Sequence, residues 1–268
     1  MIRGEFYTNM YFNYSLSYSF LSDIGKRENN EDNIFCGKLH DNLYVFAVAD
    51  GMGGAKAGEV ASEIAINAAV NNIQDNAEDI IRKKKSLKEC IESAFLSAQT
   101  QIADEKIENP ELSNMGTTLV LTIIYKTRYA IGNIGDSRIY LHRRKKLQLL
   151  TKDHSYIYEE QEKTGNILSK EIINNYGHLV TKIVDGESIT PDLYPIRRKS
   201  YRLRNNDGLL LCSDGLITSD VFNNSSEIEK LITNSKDFES IASSMIEWAI
   251  SKGSKDNISV IYIKPEKK

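Results

Sequence analysis

Polar and apolar positions alternate along this chain in two rhythms, and the switches between them mark its elements. Tyr44-Val45-Phe46-Ala47-Val48-Ala49 is an unbroken β-branched, aromatic and small run, which predicts a buried strand. Beyond it, Ala57, Val60, Ala61, Ile64, Ala65 and Ala68 recur at helical spacing. A second helix is predicted where Leu87, Cys90, Ile91, Ala94, Phe95, Ala98 and Ile102 share one face. Strand-like segments follow at 118–125, 128–134, 138–141 and 147–150, close enough together to predict antiparallel pairing. Later come apolar runs at 209–212 and 258–263, with a helix through Ile241, Met245, Trp248 and Ala249 between them. Near the start, Phe12 to Phe20 alternates as a strand does and lacks the continuous apolar core of a signal peptide. Met1 to Met10 reads as a flexible leader, leaving 11–265 as one domain. Each sheet must bury a face and each amphipathic helix needs a sheet to lie on. The pattern therefore predicts an α+β fold of two packed, mainly antiparallel sheets flanked by helices.

Aspartates stand where these strands end. Asp50-Gly51-Met52-Gly53-Gly54 follows the first buried run, and Ser213-Asp214-Gly215 follows Leu209-Leu210-Leu211-Cys212. Lys255-Asp256-Asn257 precedes the last strand, and Arg27-Glu28-Asn29-Asn30-Glu31-Asp32 precedes Ile34-Phe35. Gly135-Asp136-Ser137-Arg138 lies in a glycine turn between two strands. Asp-Gly is a common turn dipeptide, so any one of these reads as a solvated turn. An acid at the mouth of a buried strand is costly unless a cation or partner compensates it. Five such positions make a shared oxygen-rich site the better account. A dinucleotide loop is excluded by spacing: after Gly51 and Gly53 the fingerprint needs glycine at 56, where Lys56 stands.

Composition narrows the partners. Net charge is −3 over 268 residues, so no electrostatic argument favours nucleic acid or a membrane. Arg82-Lys83-Lys84-Lys85 and Arg143-Arg144-Lys145-Lys146 read as solvated turns flanking predicted elements. Cys36, Cys90 and Cys212 are odd in number and show no metal-ligand spacing, which suits reduced thiols and a cytoplasmic location. No apolar run approaches the roughly 20 residues of a spanning helix.

Taken in order, Arg27…Glu31-Asp32, Asp50-Gly51-Met52-Gly53-Gly54, Gly116-Thr117-Thr118, Gly135-Asp136-Ser137-Arg138, Ser213-Asp214-Gly215 and Asp256-Asn257 resemble the motifs of metal-dependent protein serine/threonine phosphatases, the PPM or type-2C family. The resemblance spans about 23–263, nearly the whole chain, and its details look like the bacterial branch. It implies a four-layer α-β-β-α sandwich with the site at one end of the two sheets and a flap over about 151–190. It implies hydrolysis of phosphoserine and phosphothreonine on proteins by direct attack of a metal-bridging hydroxide, with no phosphoenzyme. The substrates would be phosphorylated proteins, with a Ser/Thr kinase as the opposing partner, and the chain a monomer.

Site roles follow from the same resemblance. Asp50 would bridge two Mn²⁺ or Mg²⁺ ions, with the Gly51 carbonyl on one of them, and Asp214 and Asp256 would complete the first ion. Glu31 and Asp32 would serve the second ion directly or through water. Arg27 would hold phosphate, and Asp136 matches the position of a third, weaker ion. The ligand set is oxygen only, which suits Mn²⁺ or Mg²⁺ rather than zinc. Departures fall at the proton donor and the flap. Met52 and Ala55 stand where animal and bacterial relatives carry histidines, and the flap reads Asn174-Asn175-Tyr176-Gly177-His178 with Thr181-Lys182. His154 is expected to be structural. Two other classes are weighed: a catalytically weak regulatory or binding module of the same fold, and a serine hydrolase using Ser155 or Ser213. The module would be expected to lose metal carboxylates, and no Gly-x-Ser-x-Gly elbow supports the hydrolase.

Overall fold

The computed structural model describes residues 14–165, 168–217, 225–235 and 237–267; the expected leader at 1–10 lies outside them. In chain order the elements are β1 (Tyr14–Asp23), β2 (Asp32–His40), β3 (Leu43–Met52), α1 (Ala55–Asp75), α2 (Ala77–Ile81), α3 (Leu87–Glu108) and β4 (Gly116–Thr117). Then come β5 (Leu119–Tyr125), β6 (Arg128–Ile134), β7 (Arg138–Arg143), β8 (Lys146–Leu149), α4 (Tyr156–Thr164) and α5 (Lys170–Tyr176). The chain closes with β9 (Asp192–Tyr194), β10 (Tyr201–Arg202), β11 (Gly208–Cys212), α6 (Ser225–Asn234), α7 (Ile241–Ser251) and β12 (Ile258–Lys267).

The strands form two sheets. One runs β1-β12-β11-β7-β8, the other β10-β6-β5-β3-β2, with β4 on β3 and β9 on β6. Every pairing is antiparallel. The unbroken apolar runs have a direct cause: these strands are covered on both faces. From β3, Leu43, Val45, Ala47 and Ala49 face α1 and α3, while Phe46 and Val48 face the other sheet. From β11, Leu209 and Leu211 point between the sheets, and Leu210 and Cys212 pack under α6 and α7. Burying one such side chain contributes roughly 1.5–3 kcal/mol, so each layer is held by many of them. The α-β-β-α order is the result.

One expectation is corrected in detail and another refined. The strands from 118 to 150 pair antiparallel as expected, but in two different sheets. β5 pairs with β6 and β7 with β8, but Gly135-Asp136-Ser137 carries the chain from one sheet to the other. Gly135 turns there at φ +103°, a conformation that favours glycine. The run ending at Ala49 also continues as strand to Met52, because Gly51 and Met52 find partners in Thr117 and Gly116. The second helix keeps its predicted face, every residue of it buried. Its start is fixed by a capping box: the Ser86 hydroxyl accepts from the Glu89 N–H and the Glu89 carboxylate accepts from the Ser86 N–H. No described helix is long and apolar enough to cross a membrane.

Candidate metal centre

Strand direction brings the acids to one end of the sandwich. Asp32 opens β2 and stands in register with Asp50 near the end of β3. Asp136 sits where β6 hands over to β7, Asp214 lies just past β11, and Asp256 just ahead of β12. Antiparallel pairing alternates strand direction, so strand starts and strand ends meet on the same side.

The backbone around these acids is held by the small polar residues of the motifs. Asp50 is clamped by the Gly116-Thr117-Thr118 segment. Its N–H donates to the Thr118 hydroxyl at 3.0 Å, and its carbonyl accepts from the Thr117 hydroxyl at 2.9 Å and the Thr118 N–H at 2.8 Å. Ser213 donates to Asp32 Oδ2 at 2.7 Å and accepts from the Ser259 N–H at 3.0 Å, tying β2, β11 and β12 together. Asn257 secures the 24–31 loop: its amide donates to the carbonyls of Ile24 and Asn29, and its Oδ1 accepts from the Glu31 N–H at 2.9 Å. Gly51 and Gly58 permit a close approach. A Cβ on Gly51 would fall 2.0 Å from the Gly58 carbonyl oxygen, and one on Gly58 would fall 1.9 Å from Glu31 Oε2. Gly58 escapes the sequence reading, although an isolated glycine inside a helical pattern is itself a sign of close packing.

Electrostatics set these acids apart. Burial pushes Asp32 up to about 7, reinforced by Asp214 and Asp256 and opposed by hydrogen bonds from Ser213 and Ser259. Burial likewise raises Asp214 to about 6, with Asp256 adding to the shift. Asp50 and Asp136 are pushed well above the carboxylate range, first by burial and then by their acidic neighbours. Glu31 is raised by burial and partly relieved by Arg27. Asp32 Oδ1 and Asp214 Oδ1 are buried atoms with no hydrogen-bond partner among the described residues. Mutually repelling, under-bonded carboxylates are the environment a hard divalent cation relieves. The donor set therefore fits Mn²⁺ or Mg²⁺. Among the described residues, no three side chains form a ready-made ligand cage. The acids share one region, and a cation would draw them together.

Arg27 reaches the same region in a way the sequence does not foretell. Its Nη2 donates to Asp256 Oδ2 at 2.8 Å, so the expected phosphate holder and an expected metal ligand are paired with each other. Both are substantially exposed, and the pair is weak enough to open. His154 is structural, as expected. Its Nδ1 accepts from the Gly135 N–H at 3.0 Å, its own N–H donates to the Gly135 carbonyl, and burial lowers its basicity. It pins the turn that carries Asp136. Next to it, Asp153 forms a buried ion pair with Arg138, whose Nη1 also donates to the Ile217 carbonyl at 2.8 Å. Among the described residues neither serine hydroxyl of the hydrolase reading is hydrogen-bonded to a histidine, although His154 precedes Ser155 in the chain. Ser213 serves Asp32 and Ser155 caps α4.

Known proteins are similar over almost the entire length. Residues 21–259 match the family model described as Protein phosphatase 2C. The serine/threonine phosphatase stp of Listeria welshimeri is 33% identical over 253 residues, covering 91% of this chain and 94% of that protein. The crystal structure of the Mycobacterium tuberculosis serine/threonine phosphatase PstP/Ppp superposes with a TM-score of 0.77 at 31% identity, covering 94% of this chain and 99% of that one. The catalytic domain of PstP in complex with two manganese ions superposes equally well, with a TM-score of 0.77.

Proposed function

This chain belongs to the protein phosphatase 2C family, and we propose that it is a metal-dependent serine/threonine protein phosphatase opposing a Ser/Thr kinase. The observation that carries the reading is the gathering of the buried Asp32 and Asp136 and the half-buried Asp50 and Asp214, mutually repelling, at one end of two sheets. The manganese-bound PstP structure supports the choice of ion. Two Mn²⁺ or Mg²⁺ ions bound there would supply an activated water nucleophile at neutral pH and clamp the attacking and leaving oxygens of an in-line displacement.

The chain's own residues divide the remaining work. Asp50, whose backbone makes three hydrogen bonds with Thr117 and Thr118, would be the ligand shared by both ions, with the Gly51 carbonyl as a further ligand. Asp214 and Asp256 would serve the first ion, and Glu31 and Asp32 the second. Asp32 is oriented by Ser213. Arg27 exchanges its Asp256 contact for two phosphate oxygens when substrate arrives, a match to guanidinium geometry. Asp136 would hold a third, weaker ion or orient a water able to protonate the leaving oxygen. That the sequence keeps Glu31, Asp32, Asp50, Asp136, Asp214 and Asp256 supports turnover over a binding module of the same fold.

Purified protein should hydrolyse p-nitrophenyl phosphate and phosphothreonine peptides with Mn²⁺ or Mg²⁺ and lose activity in EDTA. Full activity after exhaustive chelation, or labelling by a fluorophosphonate, would sink the reading.

A further inference from the structure

The strands that carry the acids have opposite ends, and those ends also share a chemistry. β6 begins at Arg128, β7 ends at Arg143 and β11 begins at Gly208, all beside a groove of about 1390 Å³ between the edges of the two sheets. This is far larger than the pocket of about 20 Å³ next to Asp136 and Asp214. Among the described residues, nine that line the groove are arginine or lysine, seven of them arginine, and Asp207 is the one carboxylate.

Asp207 is already spent. It accepts from Arg143 Nε and Nη2, both at 2.8 Å, and from the Arg204 N–H at 2.7 Å. Arg128 donates to the Ser200 hydroxyl at 3.3 Å, and Lys199 lies within electrostatic reach of Glu89 at the start of α3. Arg144, Arg197, Arg198 and Arg202 are exposed and form no ion pair among the described residues. Arg144 and Lys145 occupy left-handed backbone in the β7–β8 hairpin, so the run expected to be a plain solvated turn is one wall of this groove. Like charges held together without counter-charge repel. In a chain of net charge −3, such an array is a local device for an anion.

The shape selects the kind of anion. The groove exceeds the usual small-ligand range of about 300–1,000 Å³, which suits a length of polymer. It lies between two edge strands: among the described residues β10 pairs only with β6 and β8 only with β7. Edge strands offer free main-chain donors and acceptors to an extended peptide. The floor is closed to stacking bases: Tyr129 is buried, and Tyr201 stacks on it with centroids 5.1 Å apart. Single-stranded nucleic acid wants exposed rings. Guanidiniums match carboxylate and phosphate two-pronged.

We infer that this groove docks an acidic, extended polypeptide segment of the phosphorylated substrate, anchoring it away from the metal end. This rests on the phosphatase reading. At roughly 3.3 Å per strand residue, β6 separates the two sites by about 20 Å, so the acidic segment lies at least about six residues from the phosphorylated one.

The test compares three substrates: p-nitrophenyl phosphate, a phosphothreonine peptide, and the same peptide carrying six glutamates eight residues away on either side. Wild-type protein should show a KM for one extended peptide about tenfold below that of the plain peptide, the scale of a few charge-assisted contacts. In the double variant Arg198→Glu, Arg202→Glu that advantage should vanish while turnover of p-nitrophenyl phosphate, which also reports folding, stays unchanged. Separately, the unphosphorylated glutamate peptide, fluorescently labelled, should bind metal-free protein by anisotropy and be released by 0.5 M NaCl. Absent turnover of p-nitrophenyl phosphate in Mn²⁺ would defeat the phosphatase reading, whereas the anisotropy reads the groove alone. Equal KM values for plain and extended peptides, indifference to the double variant, or a 20-nucleotide RNA that outcompetes the glutamate peptide would each overturn the proposal.

Discussion

The acidic and basic ends of β6, β7 and β11 differ in what burial does to charge. At the acidic end Asp136 is buried and Asp50 half-buried, neither forms an ion pair among the described residues, and both are pushed well above their ordinary ionisation. At the basic end Arg144, Arg198 and Arg202 stand in water at ordinary cost, and the one buried acid, Asp207, is fully hydrogen-bonded. The first arrangement is costly to the metal-free fold and makes sense only if something replaces the lost solvation. The second leaves the fold alone and acts through its field on what approaches. A reaction centre and a docking surface can therefore be told apart by how their charges are buried.

The sharpest way to break the acidic half of this comparison is at Asp50. Asp50→Asn keeps the shape and the Thr118 contacts but removes the expected bridging charge. Turnover of p-nitrophenyl phosphate should fall by about 10³-fold or more, the scale of several kcal/mol of metal-supplied stabilisation. Calorimetric titration with Mn²⁺ should show weakened binding in the same variant. Wild-type kinetics would refute the site.

Asp153 is the control inside the same neighbourhood, because its charge is already satisfied by Arg138. Asp153→Asn leaves a buried guanidinium uncompensated and should cost roughly 3–5 kcal/mol, lowering Tm by about 10 °C. Activity per folded molecule should stay within a few-fold of wild type below that Tm. A loss of turnover without a loss of stability would move Asp153 into the reaction.

Asp136 should behave in the opposite sense. Asp136→Asn removes a buried, repelled charge and should leave metal-free Tm unchanged or higher, as often happens when a functional acid is neutralised. Its kcat should fall by about 10²-fold, the scale of general acid–base assistance. A destabilised variant with normal kcat would make Asp136 an ordinary turn residue.

The acidic end was legible in the sequence because each acid abuts an apolar run, and such runs reveal strands. Asp50 behind Tyr44 to Ala49 and Asp214 behind Leu209 to Cys212 are the plainest cases. The handover from β6 to β7 was not legible, since spacing shows that strands are neighbours in sequence but not which sheet they join. β9 and β10, with three and two residues, are too short to show a period at all. The basic groove was hidden for a related reason. Arg128, Arg143 and Arg198 come from three separate segments and meet only once two sheet edges face each other. The resemblance points Arg27 at phosphate, but its pairing with Asp256 depends on where two loops meet.

The smallest predicted effect concerns pH and metal together. Asp32 titrates near 7 and Asp214 near 6 in the fold, both raised mainly by burial, whereas in the unfolded chain they ionise in the ordinary aspartate range near 4. Below that range both states hold the protons and neither residue penalises folding. Between it and pH 7 the unfolded chain releases protons that the fold retains, so stability falls as pH rises. In EDTA, Tm should therefore drop by roughly 5 °C from pH 4.5 to 7.5, given a few kcal/mol of linkage in a domain of this size. Mn²⁺ must bind the deprotonated acids, so its stabilisation should grow over the same interval and the two curves should diverge. Scanning fluorimetry at four pH values, with EDTA or excess Mn²⁺, reads both. The variant Asp32→Asn, Asp214→Asn should flatten the EDTA curve, which separates these two groups from the general titration of the surface. A metal-free Tm that rises steadily to pH 7.5 in the wild type would show that these acids are satisfied without a cation.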